Sequence, residues 1–99
     1  MVKHVILWSF KDELSDAEKA NAKVKIKAEL EALKGVVPGL TEIKIITNPM
    51  ESSNVDLMLD STLESPESLA GYQVHPAHVA AATFVRSVMK SRSCMDFEF

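Results

Sequence analysis

The sequence predicts an α+β domain in which four antiparallel strands form one sheet and the helices lie on one of its faces. Three observations carry this. Apolar residues follow a two-residue period near both ends of the chain and in two central stretches, and a helical period in the segments between. The resulting order is β, α, β, β, a helical stretch interrupted by Pro76, and β, which is the split βαβ order. At 99 residues the chain, taken as residues 1–99, fits one small domain with a single core.

The first strand is VKHVILWSF, residues 2 to 10, which places Val2, His4, Ile6, Trp8 and Phe10 on one face and Val5 and Leu7 on the other. Both faces are largely apolar, so both must be covered. LSDAEKANAKVKIKAELEALKG then carries a helix-start signature, with Ser15 as N-cap, Glu18 completing a capping box and Asp16 in the first turn. Ala22, Ile26, Leu30 and Leu33 form its core stripe, flanked by Ala20, Val24 and Ala28. Gly35 is placed as the C-terminal cap, and GVVPG ends the helix.

LTEIKIIT (residues 40 to 47) and VDLMLDSTL (55 to 63) read as a hairpin joined by the loop NPMESSN. In the second of these strands Val55, Leu57, Leu59 and Leu63 share one face. Asp56, Met58, Asp60 and Thr62 share the other, a mixed face that borders either solvent or a polar cavity. A second helix starts at Ser65 as N-cap with Pro66 in its first position. Pro76 breaks it, disfavours helical geometry at His75, and opens a third helix that runs to about Met89. On that helix His78, Ala82, Val85 and Met89 lie on one stripe. SCMDFEF closes the chain as a strand, with Met95, Phe97 and Phe99 opposite Cys94, Asp96 and Glu98.

The pattern is that of a ferredoxin-like sheet with one face open. Because the first strand is apolar on both sides, that open face would meet water as a greasy surface. Pairing two such sheets recovers roughly 25 cal/mol per Å² of apolar area buried, so a homodimer through the sheet face is expected.

Composition narrows the function classes. The chain is 46% hydrophobic and 25% charged, the profile of a soluble globular domain. Its formal charge is -3 and its lysines alternate with glutamates, which argues against a nucleic-acid partner. The apolar VILW is too short for a signal peptide and no run approaches a membrane span, so a cytoplasmic protein with no membrane partner is expected. Cys94, the single cysteine, has no intrachain disulfide partner and is expected to pack as a small apolar residue. GVVPGL has no phosphate-cradling glycine pattern, so no nucleotide cofactor is implied.

Chemistry-bearing residues concentrate in YQVHPAHVA, residues 72 to 80, which holds the chain's one tyrosine and two of its three histidines. His75 reads as a helix-boundary residue. His78 points with the core-facing stripe and reads either as a satisfied core histidine or as a base in a partly dry cavity. Tyr72 reads equally as a core tyrosine or as a donor to an oxyanion. A metal at H-P-A-H would need a third ligand, and none is near in sequence; Asp56 and Asp60 are too sparse for an oxygen-ligand site. Trp8 and the methionines read as core and interface filling before they read as pocket walls.

VKHVILWSFKDE, GVVPGLTEI, LESPESLAGYQVHPAHVAA and DFEF together, in order and at fitting spacings along the whole chain, resemble the stress-responsive α/β barrel (Dabb) family. The Y-x-x-H-P-x-H segment is the most specific part. The resemblance implies a ferredoxin-like subunit in a dimeric α/β barrel. It also implies a kinship with plant polyketide cyclases, which close a poly-β-keto chain by carbon–carbon condensation without metal or organic cofactor. In those enzymes a tyrosine and a histidine of this segment act as acid and base. They match Tyr72 and His78 here, and His4 matches a further cavity histidine. A second pocket histidine of the cyclases falls where this sequence has Leu57, a departure from the cyclase pattern.

The expected function is thus a small pocket protein with cofactor-free acid–base chemistry on a small carbonyl compound. The alternatives are a stress-associated binding protein without turnover and a cofactor-free monooxygenase, since other dimeric barrels of this kind act on phenols.

Overall fold

The computed structural model describes residues 1–99. Its elements are β1 (Val2–Phe10), α1 (Asp16–Glu31), β2 (Leu40–Ile46), β3 (Leu57–Leu63), α2 (Pro66–Val74), α3 (Pro76–Val88) and β4 (Met89–Glu98). The strands form one antiparallel sheet in the order β2-β3-β1-β4. This is the ferredoxin-like arrangement, with β2 and β3 as the expected hairpin.

Strand β1 is interior to the sheet, and its side chains alternate between buried and half-buried along its whole length. Val2, His4, Ile6, Trp8 and Phe10 face the helices and are buried. Its register places His4 opposite Ser61 of β3 on one side and Asp96 of β4 on the other. Facing residues of an antiparallel pair project to the same side. The one polar residue on the inner face of β1 therefore has polar neighbours on both flanking strands.

Helix α1 begins as expected. The Glu18 N–H donates to Ser15 Oγ at 3.1 Å and the Ser15 N–H donates to Glu18 Oε1 at 2.9 Å, closing the capping box. Ala22, Ile26, Leu30 and Leu33 are buried in the core. Ala20, Val24 and Ala28 are exposed instead, with Val24 71% accessible, because the buried stripe is one residue wide where the helix crosses the sheet. The helix also ends earlier than Gly35 would imply. Ala32 is the C-cap, and the bonds from Leu33 N–H to Leu30 O and from Lys34 N–H to Glu31 O wind the chain into tighter turns before Gly35.

Gly35 and Gly39 adopt φ of 84° and 81°, the left-handed region where a side chain is strained. Gly39 is also crowded: a Cβ there would lie 2.3 Å from Ser68 Oγ. The turn into β2 is thereby pressed against the first turn of α2, where the Ser68 N–H donates to Ser65 Oγ at 3.1 Å.

Strand β4 starts at Met89, four residues before the alternation in SCMDFEF begins. Lys90, Ser91, Arg92 and Ser93 carry no burial pattern, and pairing with β1 alone makes them a strand. At the far end of β1, the Phe10 N–H donates to Asp56 Oδ2 at 2.9 Å, so Asp56 ties the β2–β3 loop to the sheet.

The face of the sheet away from the helices is apolar and open. Val5, Leu7, Ile46 and Met58 lie there half-buried, beside Met95 at 67% and Phe97 at 46% exposure. Lys3 Nζ crosses it, 2.9 Å from Asp60 Oδ1 and 3.0 Å from Thr62 Oγ1. No helix of the chain is long and apolar enough to cross a membrane.

Gly39→Ala should lower unfolding stability by about 2–4 kcal/mol, from the left-handed backbone and the overlap with Ser68 together. Gly35→Ala, which meets nothing within 4 Å, should cost only about 1 kcal/mol. Urea unfolding of the two variants measures the difference, and equal losses would show that the contact with α2 does not matter.

Candidate functional site

The break at Pro76 brings the segment's tyrosine and second histidine together. His75 is extended at φ -64°, ψ 132° and serves as both C-cap of α2 and N-cap of α3. Tyr72 in the last turn of α2 and His78 in the first turn of α3 then approach to 4.3 Å between ring centroids. His4 comes up from β1 and meets the Tyr72 ring edge-on, with centroids 5.9 Å apart and planes at 68°. The three residues singled out in the sequence are thus one cluster.

Their hydrogen bonds determine where each imidazole keeps its lone pair. His4 Nδ1 lies 2.5 Å from Asp96 Oδ1 and must carry the proton it shares with that carboxylate. His78 Nδ1 lies 3.2 Å from the Gln73 carbonyl, which can only accept, so it donates there too. With Nδ1 so engaged, the atom of each ring left open is Nε2. His75 is the reverse: its Nδ1 accepts from the Ala77 N–H at 3.1 Å, the bond of an N-cap. With Nδ1 of His75 and His78 each engaged by backbone, H-P-A-H forms a helix junction.

A cavity of about 320 Å³ opens between α3 and the inner face of the sheet. Ile6, Trp8 and Leu59 supply apolar wall from the sheet, and Ala82 and Val85 from α3. His4, His78 and Gln73 supply the polar lining, and Arg86 and Arg92 complete it. Trp8 is therefore a cavity wall as well as a core residue. Leu57 is buried in the core and borders a different, smaller recess beside the β2–β3 loop. The β3 residue in this cavity is Leu59.

Tyr72 stands behind this wall. It is completely buried, it does not line the cavity, and its hydroxyl is a buried donor with no hydrogen-bond partner. Such an orphaned group costs about 1–3 kcal/mol. Burial pushes its pKa up to about 12, so the phenol stays protonated. Burial likewise pushes the His78 pKa below its ordinary value against the opposing Gln73 carbonyl, and the positive charges of His4 when protonated, Arg86 and Arg92 lower it further. The neutral imidazole is favoured.

Asp96, Gln73, Arg86 and Arg92 were not legible as site residues. Alternation places Cys94 and Asp96 on one side of the last strand, but only the β1–β4 register sets Asp96 against His4. Cys94 is exposed beside them rather than packed as an apolar residue, because β4 is an edge strand whose inner face no helix covers at that point. Its Sγ is 3.8 Å from His4 Nδ1 and 3.5 Å from Asp96 Oδ1. His4, Cys94 and Asp96 are the one group of ligand-type side chains that cluster, within 4.8 Å. His4 Nδ1 and Asp96 Oδ1 in this group are hydrogen-bonded to each other at 2.5 Å. Desolvation and the Asp96 carboxylate hold the Cys94 thiol above its ordinary pKa, away from the thiolate a metal requires.

A family model for the stress responsive A/B barrel domain matches residues 2–99. Olivetolic acid cyclase of Cannabis sativa is 30% identical over 99 residues, which cover 97% of this chain and 94% of that protein. The stress-response A/B barrel domain-containing protein HS1 of Arabidopsis thaliana is 33% identical over 97 residues, 98% of this chain and 88% of that one. Among solved structures, a dimeric protein of unknown function with a ferredoxin-like fold from Bacteroides fragilis superimposes with a TM-score of 0.93 at 28% identity, over 99% of this chain and 95% of that one.

The depressed His78 pKa has a stability consequence. Below the ordinary value of 6.5 the unfolded chain takes up a proton that folded His78 resists, so protonation favours unfolding. Relative to His78→Gln, the wild-type protein should hold a constant difference in thermal midpoint above about pH 7.5 and lose ground as pH falls through 6.5. Differential scanning calorimetry across that range reads it, and a relative gain of the wild type toward acid would contradict the assignment.

Proposed function

The chain belongs to the stress responsive A/B barrel domain family, and from that premise we propose that it is a small-molecule pocket protein with cofactor-free acid–base chemistry on a small carbonyl compound. The observation that carries this reading is the pairing of a neutral His78, with Nε2 free, and an orphaned, protonated Tyr72 hydroxyl at contact distance between their rings. The likeness to olivetolic acid cyclase over almost the full length of both chains supports it.

In this reading His78 Nε2 removes a proton from the carbon next to a carbonyl, and the carbon–hydrogen bonding pair becomes an enolate. For Tyr72 to donate to the enolate oxygen, a shift at the α2–α3 junction on ligand binding must first bring its hydroxyl into the cavity it does not line in the free protein. Addition of the enolate carbon to a second carbonyl of the same molecule forms the carbon–carbon bond. The new alkoxide then recovers the proton held on His78, so nothing is consumed. His4, oriented by Asp96, is a positioning residue for Tyr72 and lines the same cavity.

The complete burial of Tyr72 behind the cavity wall favours a second reading, in which His4, His78 and Gln73 hold a ligand without turnover. In either case the protein is read as a cytoplasmic homodimer, with two open sheet faces packed together. The apolar face at Val5, Leu7, Met95 and Phe97 and the dimeric Bacteroides fragilis protein support that assembly.

Proton abstraction can be read directly as exchange of butanone α-protons for deuterium in heavy water, followed by NMR. Exchange should exceed the buffer rate, and His78→Ala should reduce it by about 100-fold or more with the fold intact. Tyr72→Phe should slow it by about tenfold while leaving stability unchanged or raised, since an unpaired hydroxyl leaves the core. Exchange that survives in His78→Ala would overturn the acid–base reading.

Light scattering during size exclusion should give twice the chain mass at micromolar concentration, and Val5→Glu should shift it to the monomer. A monomeric wild-type protein would refute the sheet pairing.

A further inference from the structure

The chain has nine lysines and only two arginines, Arg86 and Arg92, and both arginines line the same cavity. They reach it from different elements, Arg86 from the last turn of α3 and Arg92 from β4, where it faces Trp8. Neither guanidinium is ion-paired. The ion pairs of this structure are made by lysines and by His4, and the nearby Asp96 carboxylate is engaged by His4. Elsewhere the chain answers its acidic residues with lysine, a compact charge on a flexible stem. At this cavity alone it presents two planar forks that match an oxyanion in two-point contact.

We infer that the carbonyl compound taken by this pocket is a keto acid, whose carboxylate is held by Arg86 and Arg92 while its carbonyl end reaches His78. This deepens the proposed function and rests on it. A cavity of about 320 Å³ is the size of one small molecule, so arginines and histidines in its lining address two ends of the same ligand. Ile6, Trp8 and Val85 supply apolar wall to the same cavity. A bound carboxylate also offsets the positive field that Arg86 and Arg92 impose on His78, so that the ligand itself strengthens the base that acts on it.

The test uses the full chain with 4-oxo-4-phenylbutanoate, its neutral methyl ester and inorganic phosphate as probes, followed by calorimetry and by the His78 ring resonances. The keto acid should bind about tenfold or more tightly than the ester and shift the His78 signals. The preference should shrink as ionic strength rises and collapse in an Arg86→Gln, Arg92→Gln double variant. Both side chains are exposed, so the variant should fold, and the acid-to-ester comparison and its salt dependence need no variant. Equal binding of acid and ester with His78 shifted overturns the carboxylate subsite and leaves the carbonyl pocket standing. Preferential binding of the acid through the arginines with His78 unmoved supports the subsite and removes the acid–base reading. Tighter binding of phosphate than of 4-oxo-4-phenylbutanoate, or no binding of that keto acid at millimolar concentration, overturns the inference.

Discussion

Everything in this fold depends on β1 being an interior strand that is apolar on both faces. Its inner set, Val2, Ile6, Trp8 and Phe10, gives α1, α2 and α3 a surface to pack on, and without that burial the short helices α2 and α3 would not hold in water. Its outer set leaves Val5 and Leu7 on a face that no element of the chain covers. The same alternation therefore builds the core of the chain and leaves an apolar sheet face open. His4 belongs to the inner set, so the site is anchored to the most constrained backbone in the molecule, bonded on both sides by β3 and β4.

Around His4 the protein spends stability on polar groups. Tyr72 has no hydrogen-bond partner, His78 resists protonation, and the buried His4 is hydrogen-bonded to Asp96. A core optimised for stability alone would replace such a cluster with apolar residues of similar volume. The cluster instead sits beside a cavity that two unpaired arginines also line. Structural histidines are present for contrast: His75 uses its Nδ1 to cap α3 and has the opposite tautomer from its neighbours. Local hydrogen bonding thus separates one helix-capping histidine from two whose Nδ1 is engaged and whose Nε2 is left open.

Much of this was legible in the sequence because the signals are local. The capping box at Ser15 and Glu18, the proline break at Pro76 and the two-residue period of β1 each act over a few residues and need no knowledge of the fold. Expectations failed where packing decides. Val24 is apolar and exposed, α1 ends at Glu31 well before its glycine, and β4 starts at polar residues with no alternation. Cys94 was expected inside and lies outside, because an edge strand has one neighbour and, at that point, no helix above it.

By itself the sequence determined the order of elements, the apolar inner and outer faces of β1, and a tyrosine and histidine flanking a helix break. Each of these follows from backbone preferences and periodicities that operate within a turn or a strand. Only the tertiary structure decided that His4 meets Asp96 across 92 residues of chain, that Tyr72 lies behind the cavity wall, and that Arg86 and Arg92 line one cavity. Those facts depend on the register of β4 against β1 and on the angle at which α3 crosses the sheet, quantities set by the packing of the whole core.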